Sequence, residues 1–270
     1  RFDQEKMGQY RTLFHLIGNP LTQMDLLLMR EEEEAERALA LGAPPGRVRV
    51  TGNSKFDALL PSKETEPEGL EEALGRGPIF FAGSTHEGEE GPLLQVFSRL
   101  RGAHPQLRMI IAPRYVERAS RIAHLVQAEG FSVGFRSRGG GEADVVILDT
   151  MGELYAAYRY ATLVFVGGSF TSRGGQNILE PAARGKPVFF GPNMQNFRDS
   201  VQVLLGRGGI QVKDPDHLAR AALDLLDRPD RLAELGALAR STVLAVGGAS
   251  QRNVDEMIGL LAERHREEAA

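Results

Sequence analysis

From Pro78 onward the chain alternates short apolar runs with longer amphipathic stretches, and this alternation restricts the fold more than any other feature. The runs are 79–83 (IFFAG), 107–112 (LRMIIA), 131–135, 144–148 (DVVIL), 161–166 (ATLVFV), 187–190 (PVFF) and 209–212. Each has strand length and is apolar at consecutive positions, so both of its faces must be covered. Helical segments separate most of them. That order predicts an α/β fold with a parallel sheet covered by helices on both faces. Three further helices are expected near 215–228, 230–245 and 249–268.

Upstream, residues 4–17 read as a helix and Met24–Met29 (MDLLLM) as a short buried strand. The acidic run Glu31–Glu36 suits a solvated first helical turn. Gly42, Pro44 and Pro45 turn the chain into a strand at Val48–Val50. A polar Pro/Glu/Lys-rich segment from Pro61 to Glu68 marks a linker.

In an open parallel sheet, ligands collect beyond the carboxyl ends of the strands, and four strand ends here carry polar groups. The richest is Phe165-Val-Gly-Gly-Ser-Phe-Thr-Ser-Arg-Gly-Gly-Gln-Asn-Ile-Leu-Glu-Pro181. Backbone amides near Gly167, Gly168, Gly174 and Gly175 could approach an anion closely. Pro181 belongs in a first helical turn, which starts the next helix near Ile178–Pro181 and offers free N–H groups there. Glu180 then sits at the mouth of the site, where a carboxylate accepts two hydrogen bonds from a ribose diol.

The second end, Gly83-Ser-Thr-His-Glu-Gly-Glu-Glu90, has capping-box spacing between Ser84 and Glu87. His86 and Glu89 lack the second histidine of a metal helix, so helix-end charges explain them better. The third is Pro113-Arg114, whose guanidinium suits an anion, a base edge or a surface salt bridge. The fourth, Asp149-Thr-Met-Gly-Glu153, either caps a helix through Asp149 or Thr150 or lets a flat ring approach Gly152.

Other chemistries are poorly supported. With no cysteine there is no disulfide, zinc ribbon or thiol nucleophile. A net charge of -4 gives no general reason for nucleic-acid binding. No apolar run approaches the roughly 20 residues of a membrane span. Gly139–Gly141 lacks the Lys-Ser/Thr of a phosphate loop. Asp214-Pro-Asp216 reads as a helix cap rather than a metal site, and Phe80, Phe81, Phe189 and Phe190 read as core.

Taken together, these motifs resemble the 3-deoxy-D-manno-octulosonic acid (Kdo) transferases of lipopolysaccharide biosynthesis. The resemblance runs through most of the chain. Its landmarks are Gly52-Asn-Ser-Lys-Phe-Asp57, Ser84-Thr-His-Glu-Gly-Glu-Glu90, Ala112-Pro-Arg114, Asp149-Thr-Met-Gly-Glu-Leu154, Phe165-Val-Gly-Gly-Ser169 and Gly174-Gly-Gln-Asn-Ile-Leu-Glu-Pro181.

The resemblance implies a GT-B glycosyltransferase built of Rossmann-like domains, with 1–57 the C-terminal part of the N-terminal (acceptor) domain, 58–77 a linker, 78–248 the nucleotide-sugar donor-binding domain and 249–270 a C-terminal helix crossing back to the first domain. It implies a CMP-Kdo donor, an inverting transfer to a lipid A precursor (lipid IVA), and no required metal or other cofactor. Carried over by position, it assigns CMP contacts to Pro113, Arg114, Met151, Gly152, Glu153, Asn177, Ile178, Leu179 and Glu180. Lys55 would stabilise transition-state charge; by itself it reads as an exposed linker lysine.

The family usually has histidine at Tyr115 and Gln176 and proline at Ile178. Its general base and a second assisting glutamate belong to an N-terminal domain of which residues 1–57 resemble only the end. The expectation is therefore a donor half that binds CMP without turning over. The whole protein would lie at the cytoplasmic face of the bacterial inner membrane, with membrane contact through the upstream part. Two alternatives remain: a GT-B enzyme using a UDP-sugar, and a non-catalytic nucleotide-binding module.

Overall fold

A computed structural model describes residues 6–57 and 67–268. The chain divides into two compact units, Arg1–Leu60 with Ala245–Ala270, and Pro61–Leu244.

The second unit is built on a seven-stranded parallel sheet among the described residues. Its strands are β3 (Ile79–Thr85), β4 (Arg108–Pro113), β5 (Val133–Phe135), β6 (Val145–Ile147), β7 (Leu163–Val166), β8 (Val188–Phe190) and β9 (Gly209–Gln211), in the order β5-β6-β4-β3-β7-β8-β9. Each strand overlaps one of the seven apolar runs. The central strands β3, β4, β6, β7 and β8 bury nearly every side chain, because crossover helices cover both faces of a parallel sheet. Phe80, Phe81, Phe189 and Phe190 are fully buried, as expected. The chain leaves β3 toward β4 and later crosses to β7 on its other side. The topological switch therefore falls between the carboxyl ends of β3 and β7, where ligands settle in such sheets.

Helices α4 (Glu90–Ala103), α5 (Ala119–Ala128) and α9 (Pro215–Leu226) cover the sheet with Leu93, Leu94, Phe97, Ile122, Val126, Leu218 and Ala222. Asp214 caps α9, accepting the His217 N–H at 2.7 Å, as its sequence context predicts. Short helices α6 (Leu154–Ala157), α7 (Leu179–Ala183) and α8 (Arg198–Leu204) follow β6, β7 and β8, and α10 (Pro229–Val246) comes after α9.

Two expectations for this unit need correction. The proposed linker 58–77 is too long: α3 (Leu70–Leu74) buries Leu70, Ala73 and Leu74, and Arg108 ties the Leu74 carbonyl at 2.9 Å. Residues 58–66 lie outside the described part. One stretch, Pro229–Arg266, is also long and apolar enough to cross a membrane by length and composition. It is two helices broken at Gly247-Gly248, and its first half buries Gly236, Ala239 and Val243, with Gly236 against the Gly185 carbonyl.

The first unit pairs β1 (Leu27–Met29) with β2 (Val48–Val50) in parallel and adds α1 (Met7–Ile17), α2 (Glu32–Ala40) and α11 (Ala249–Glu268). Strand β1 is shorter than MDLLLM, because Met24 is exposed and only Leu27 and Met29 face the small core. The acidic run is not wholly solvated. Glu34 is buried and Arg30 grips it, with one hydrogen bond of 3.1 Å; that guanidinium holds its carboxyl below the usual range.

Helix α11 packs within this unit. Asp57 accepts the Gly248 and Ser250 N–H groups at 2.5 and 2.6 Å and so caps α11, while Arg252 donates to the Thr51 carbonyl at 2.8 Å. The Gly52–Asp57 motif thus has a structural task.

Candidate nucleotide site at the strand ends

Because β6, β4, β3 and β7 are parallel neighbours, their carboxyl ends share one edge of the sheet. Three interstrand gaps span roughly 14 Å at 4.7–4.9 Å each, comparable to a nucleotide. The expected CMP contacts all fall on this edge. Pro113 ends β4, buried, and Arg114 follows, exposed, its N–H donating to the Thr85 carbonyl at 3.0 Å. Asn177–Glu180 follows β7 and Met151–Glu153 follows β6.

One charge effect and one set of direct contacts relate these segments. The Arg114 charge reaches the Glu180 carboxyl. Arg184, just after α7, donates to the Tyr155 carbonyl at 3.2 Å and lies 4.1 Å over the Tyr155 ring, joining α6 to α7.

Glu180 occupies the second position of α7, as the placement of Pro181 predicts. Asn177 organises this start: its Oδ1 accepts the Leu179 N–H and its Nδ2 donates to Glu180, both at 3.0 Å. Burial pushes the Glu180 carboxyl above its ordinary value, opposed by the Asn177 bond and the Arg114 charge. Tyr158, fully buried beside Phe81, also feels the Glu180 charge, and burial pushes its phenol well up. Ile178 and Leu179 are themselves fully buried, and the Leu179 N–H is held by Asn177.

At β6, Met151 is 84% exposed and Gly152 has φ +82°, a left-handed turn open to a flat group. Glu153 does not point to a ligand. It makes a two-pronged ion pair with Arg136 at 3.0 and 3.1 Å, and Thr150 also donates to it. Asp149 is not the helix cap anticipated as one possibility; it accepts the Ser137 N–H and hydroxyl at 2.9 and 2.6 Å. Lys55 belongs to the first unit, where it is exposed and its N–H donates to Asn53 Oδ1 at 3.1 Å.

The glycine loop differs most from expectation. The amides of Gly167, Gly168 and Gly175 are already occupied. The Glu89 carboxylate, fully buried, accepts the N–H groups of His86 (2.9 Å), Gly168 (2.7 Å), Ser169 (3.1 Å) and Phe170 (3.0 Å). Gly167 donates to the Gly83 carbonyl and Gly175 to the Gly168 carbonyl, each at 2.8 Å. The nest holds an anion, but the anion is the protein's own.

A capping box does not describe the β3 end, and helix-end charge describes it only in part: Glu89 is the N-cap residue of α4 and Glu90 lies in its first turn, but the Glu89 carboxylate also serves the distant glycine loop. Strand β3 runs through Ser84 to Thr85, α4 starts only at Glu90, and Glu87 pairs with Arg121 at 2.6 Å. Ser84 has φ +53°, the lone non-glycine residue with positive φ among those described, and marks a bulge against β4. Such strain persists only where surrounding contacts fix it. Glu90 is buried and paired with Arg118 at 2.7 and 3.0 Å. Among the described residues no cluster of three His, Asp or Glu groups is placed to hold a metal.

Comparison with known proteins bears on the family and the fold. The family model described as 3-deoxy-D-manno-octulosonic-acid transferase matches residues 1–58. A 3-deoxy-D-manno-octulosonic acid transferase of Bordetella pertussis is 34% identical over 269 residues, 95% of this chain and 61% of that protein. One from Aquifex aeolicus (strain VF5) is 31% identical over 76% of this chain and 54% of its own length. A crystal structure of the C-terminal CMP-Kdo binding domain of WaaA from Acinetobacter baumannii superposes with a TM-score of 0.57. It has 28% identity and covers 64% of this chain and 91% of that one.

The chain belongs to the Kdo transferase family.

It spans roughly three-fifths of the Bordetella pertussis member and about half of the Aquifex aeolicus one. The fold is α/β, Rossmann-like, of the GT-B type. A sucrose-phosphate synthase from Thermosynechococcus elongatus shares it, with a TM-score of 0.51 at 17% identity over 100% of this chain and 63% of that one.

Proposed function

We propose that this chain carries the donor-nucleotide site of a glycosyltransferase that moves Kdo from CMP-Kdo to a lipid A precursor, lipid IVA, in lipopolysaccharide core synthesis. The observation that carries the reading is the gathering of Arg114, Gly152 and Asn177–Glu180 on one sheet edge. Family membership and the likeness to a CMP-Kdo binding domain support the choice of donor.

In this reading the Glu180 carboxylate accepts the ribose hydroxyls, the open turn at Met151-Gly152 takes the cytosine face, and Arg114 faces the phosphate. The acceptor hydroxyl gives its proton to the glutamate base of the family's N-terminal domain and attacks the anomeric carbon, inverting it, and CMP departs. Its phosphate gains charge as the glycosidic C–O bond breaks, so cationic donors stabilise the transition state more than the ground state. No metal is required in this reading. A lipid acceptor places the reaction at a membrane surface, the cytoplasmic face of the inner membrane.

Calorimetric titration of the chain with CMP and with UDP tests the reading. Saturable CMP binding with much weaker UDP binding is expected. Preference for UDP would assign a different sugar-nucleotide donor, and binding of neither would reject a donor site here.

A further inference from the structure

The switch point between β3 and β7 is where a nucleotide phosphate should lie, yet several of its backbone donors are consumed. Glu89 takes the Gly168, Ser169 and Phe170 amides, and Asn177 takes that of Leu179. A phosphate there would draw on side-chain donors as well.

The polar side chains at this point centre on His86. Its ring is buried, 5% exposed, and Gly168 packs so closely that a Cβ on that glycine would meet His86 Cδ2 at 3.2 Å. The Gln176 amide nitrogen lies 3.1 Å from His86 Nε2, and the half-exposed Tyr115 ring stands edge-on at 5.8 Å and 84°. The charges of Arg114, Arg118 and Arg173 all reach the imidazole; Arg118 is committed to Glu90, which leaves Arg114 and Arg173 on the exposed side. Thr85 Oγ1 and Thr171 Oγ1, on the two loops that meet here, are buried without a hydrogen-bond partner among the described residues. Buried hydroxyls normally have partners.

Resting on the reading of a CMP-type donor, we propose that His86, Gln176 and Tyr115 form the subsite for the donor's phosphate, with His86 as its central contact. The resting ring is suited to this. Burial, with Arg173, Arg118 and Arg114 nearby, pushes the imidazole below its ordinary value against the opposing pull of Glu89. A neutral ring accepting from Gln176 carries its proton on Nδ1. An arriving phosphate supplies the negative charge that favours imidazolium, and the released Gln176 amide donates to the same anion.

The test compares CMP with cytidine, which lacks only the phosphate, on the unchanged chain and on His86→Ala, Gln176→Ala and Tyr115→Phe. His86→Ala should weaken CMP about tenfold or more, the range for a charged hydrogen bond, and leave cytidine affinity unchanged. Tyr115→Phe, at a half-exposed position that tolerates the change, should weaken CMP by about twofold to fivefold through one neutral hydrogen bond. Gln176→Ala carries the test if His86→Ala does not fold. A CMP-to-cytidine affinity ratio equal to that of the unchanged chain in the folded variants would overturn the subsite. Equal affinity of the unchanged chain for both ligands would overturn it while sparing the nucleoside grip. Failure to bind either would remove the donor reading and the subsite together.

Discussion

Glu89 and Glu180 stand at adjacent strand ends of one sheet, each beside glycine-rich backbone, yet their surroundings differ. Glu89 accepts four backbone N–H groups and is sealed from water. Glu180 accepts from the Asn177 side chain, is only partly covered, and has its carboxyl pushed up by burial. One carboxylate is saturated and holds two loops together; the other keeps hydrogen-bonding capacity for something else. A buried acid signals binding only when its acceptor sites are not already filled, and the hydrogen-bond inventory separates the two cases.

Removing Glu89 should give the largest effect. Glu89→Ala strands four N–H groups in a buried turn and should cost about 3–5 kcal/mol of stability, seen as a fall in the thermal midpoint. A change within experimental scatter would show that the loop does not depend on that carboxylate.

Glu180→Ala should behave in the opposite sense. Nucleotide affinity should drop about 10- to 150-fold, or 1.5–3 kcal/mol, with the fold largely intact. An unchanged CMP dissociation constant would erase the functional half of the contrast.

Asp57 lies between the two, accepting two N–H groups at the start of α11. Burial alone would raise its pKa, but hydrogen bonds from Ser250 and Gly248 bring it below the ordinary carboxylate value. Its contribution is therefore present above the unfolded value near 3.9 and is lost as pH falls through the lower folded value. Asp57→Ala should cost about 1 kcal/mol at neutral pH, read as faster amide exchange in α11, with the difference from the parent vanishing in acid.

The smallest effect sharpens the contrast most. The folded pKa of Glu180 lies above its unfolded value, so ionisation is harder in the fold and opposes stability as pH rises through that window. Glu180→Gln should therefore raise the thermal midpoint slightly at neutral pH, and the gain should disappear toward pH 4, while CMP binding weakens. A lowered midpoint at neutral pH would mean that Glu180 is structural after all.

Much of this architecture was legible in the chain. The apolar runs located every strand of the large sheet to within a few residues, because doubly covered strands must be continuously apolar. Pro181 fixed the start of α7 for a purely local reason, the missing N–H and restricted φ. The errors concern partners distant in sequence. Glu89 looked like a helix-end charge only, because its loop partners lie 79 to 81 residues away. Glu90 is separated from Arg118 by 28 residues. The helix Leu70–Leu74 looked like linker because five residues carry little periodicity, and only its burial shows that it belongs to the second unit. His86 had no local signal; its neighbours Tyr115 and Gln176 arrive from two other strand ends.

The central claim is that the ends of β4, β6 and β7 grip one nucleotide, and amide hydrogen exchange with and without CMP tests it directly. Residues 112–115, 149–153 and 176–181 should slow together on CMP binding, while the Glu89-held amides of Gly168–Phe170 stay protected throughout. Slowing confined instead to the groove of about 570 Å³ lined by Arg47, Arg49, Glu256 and Arg264 in the first unit would contradict it.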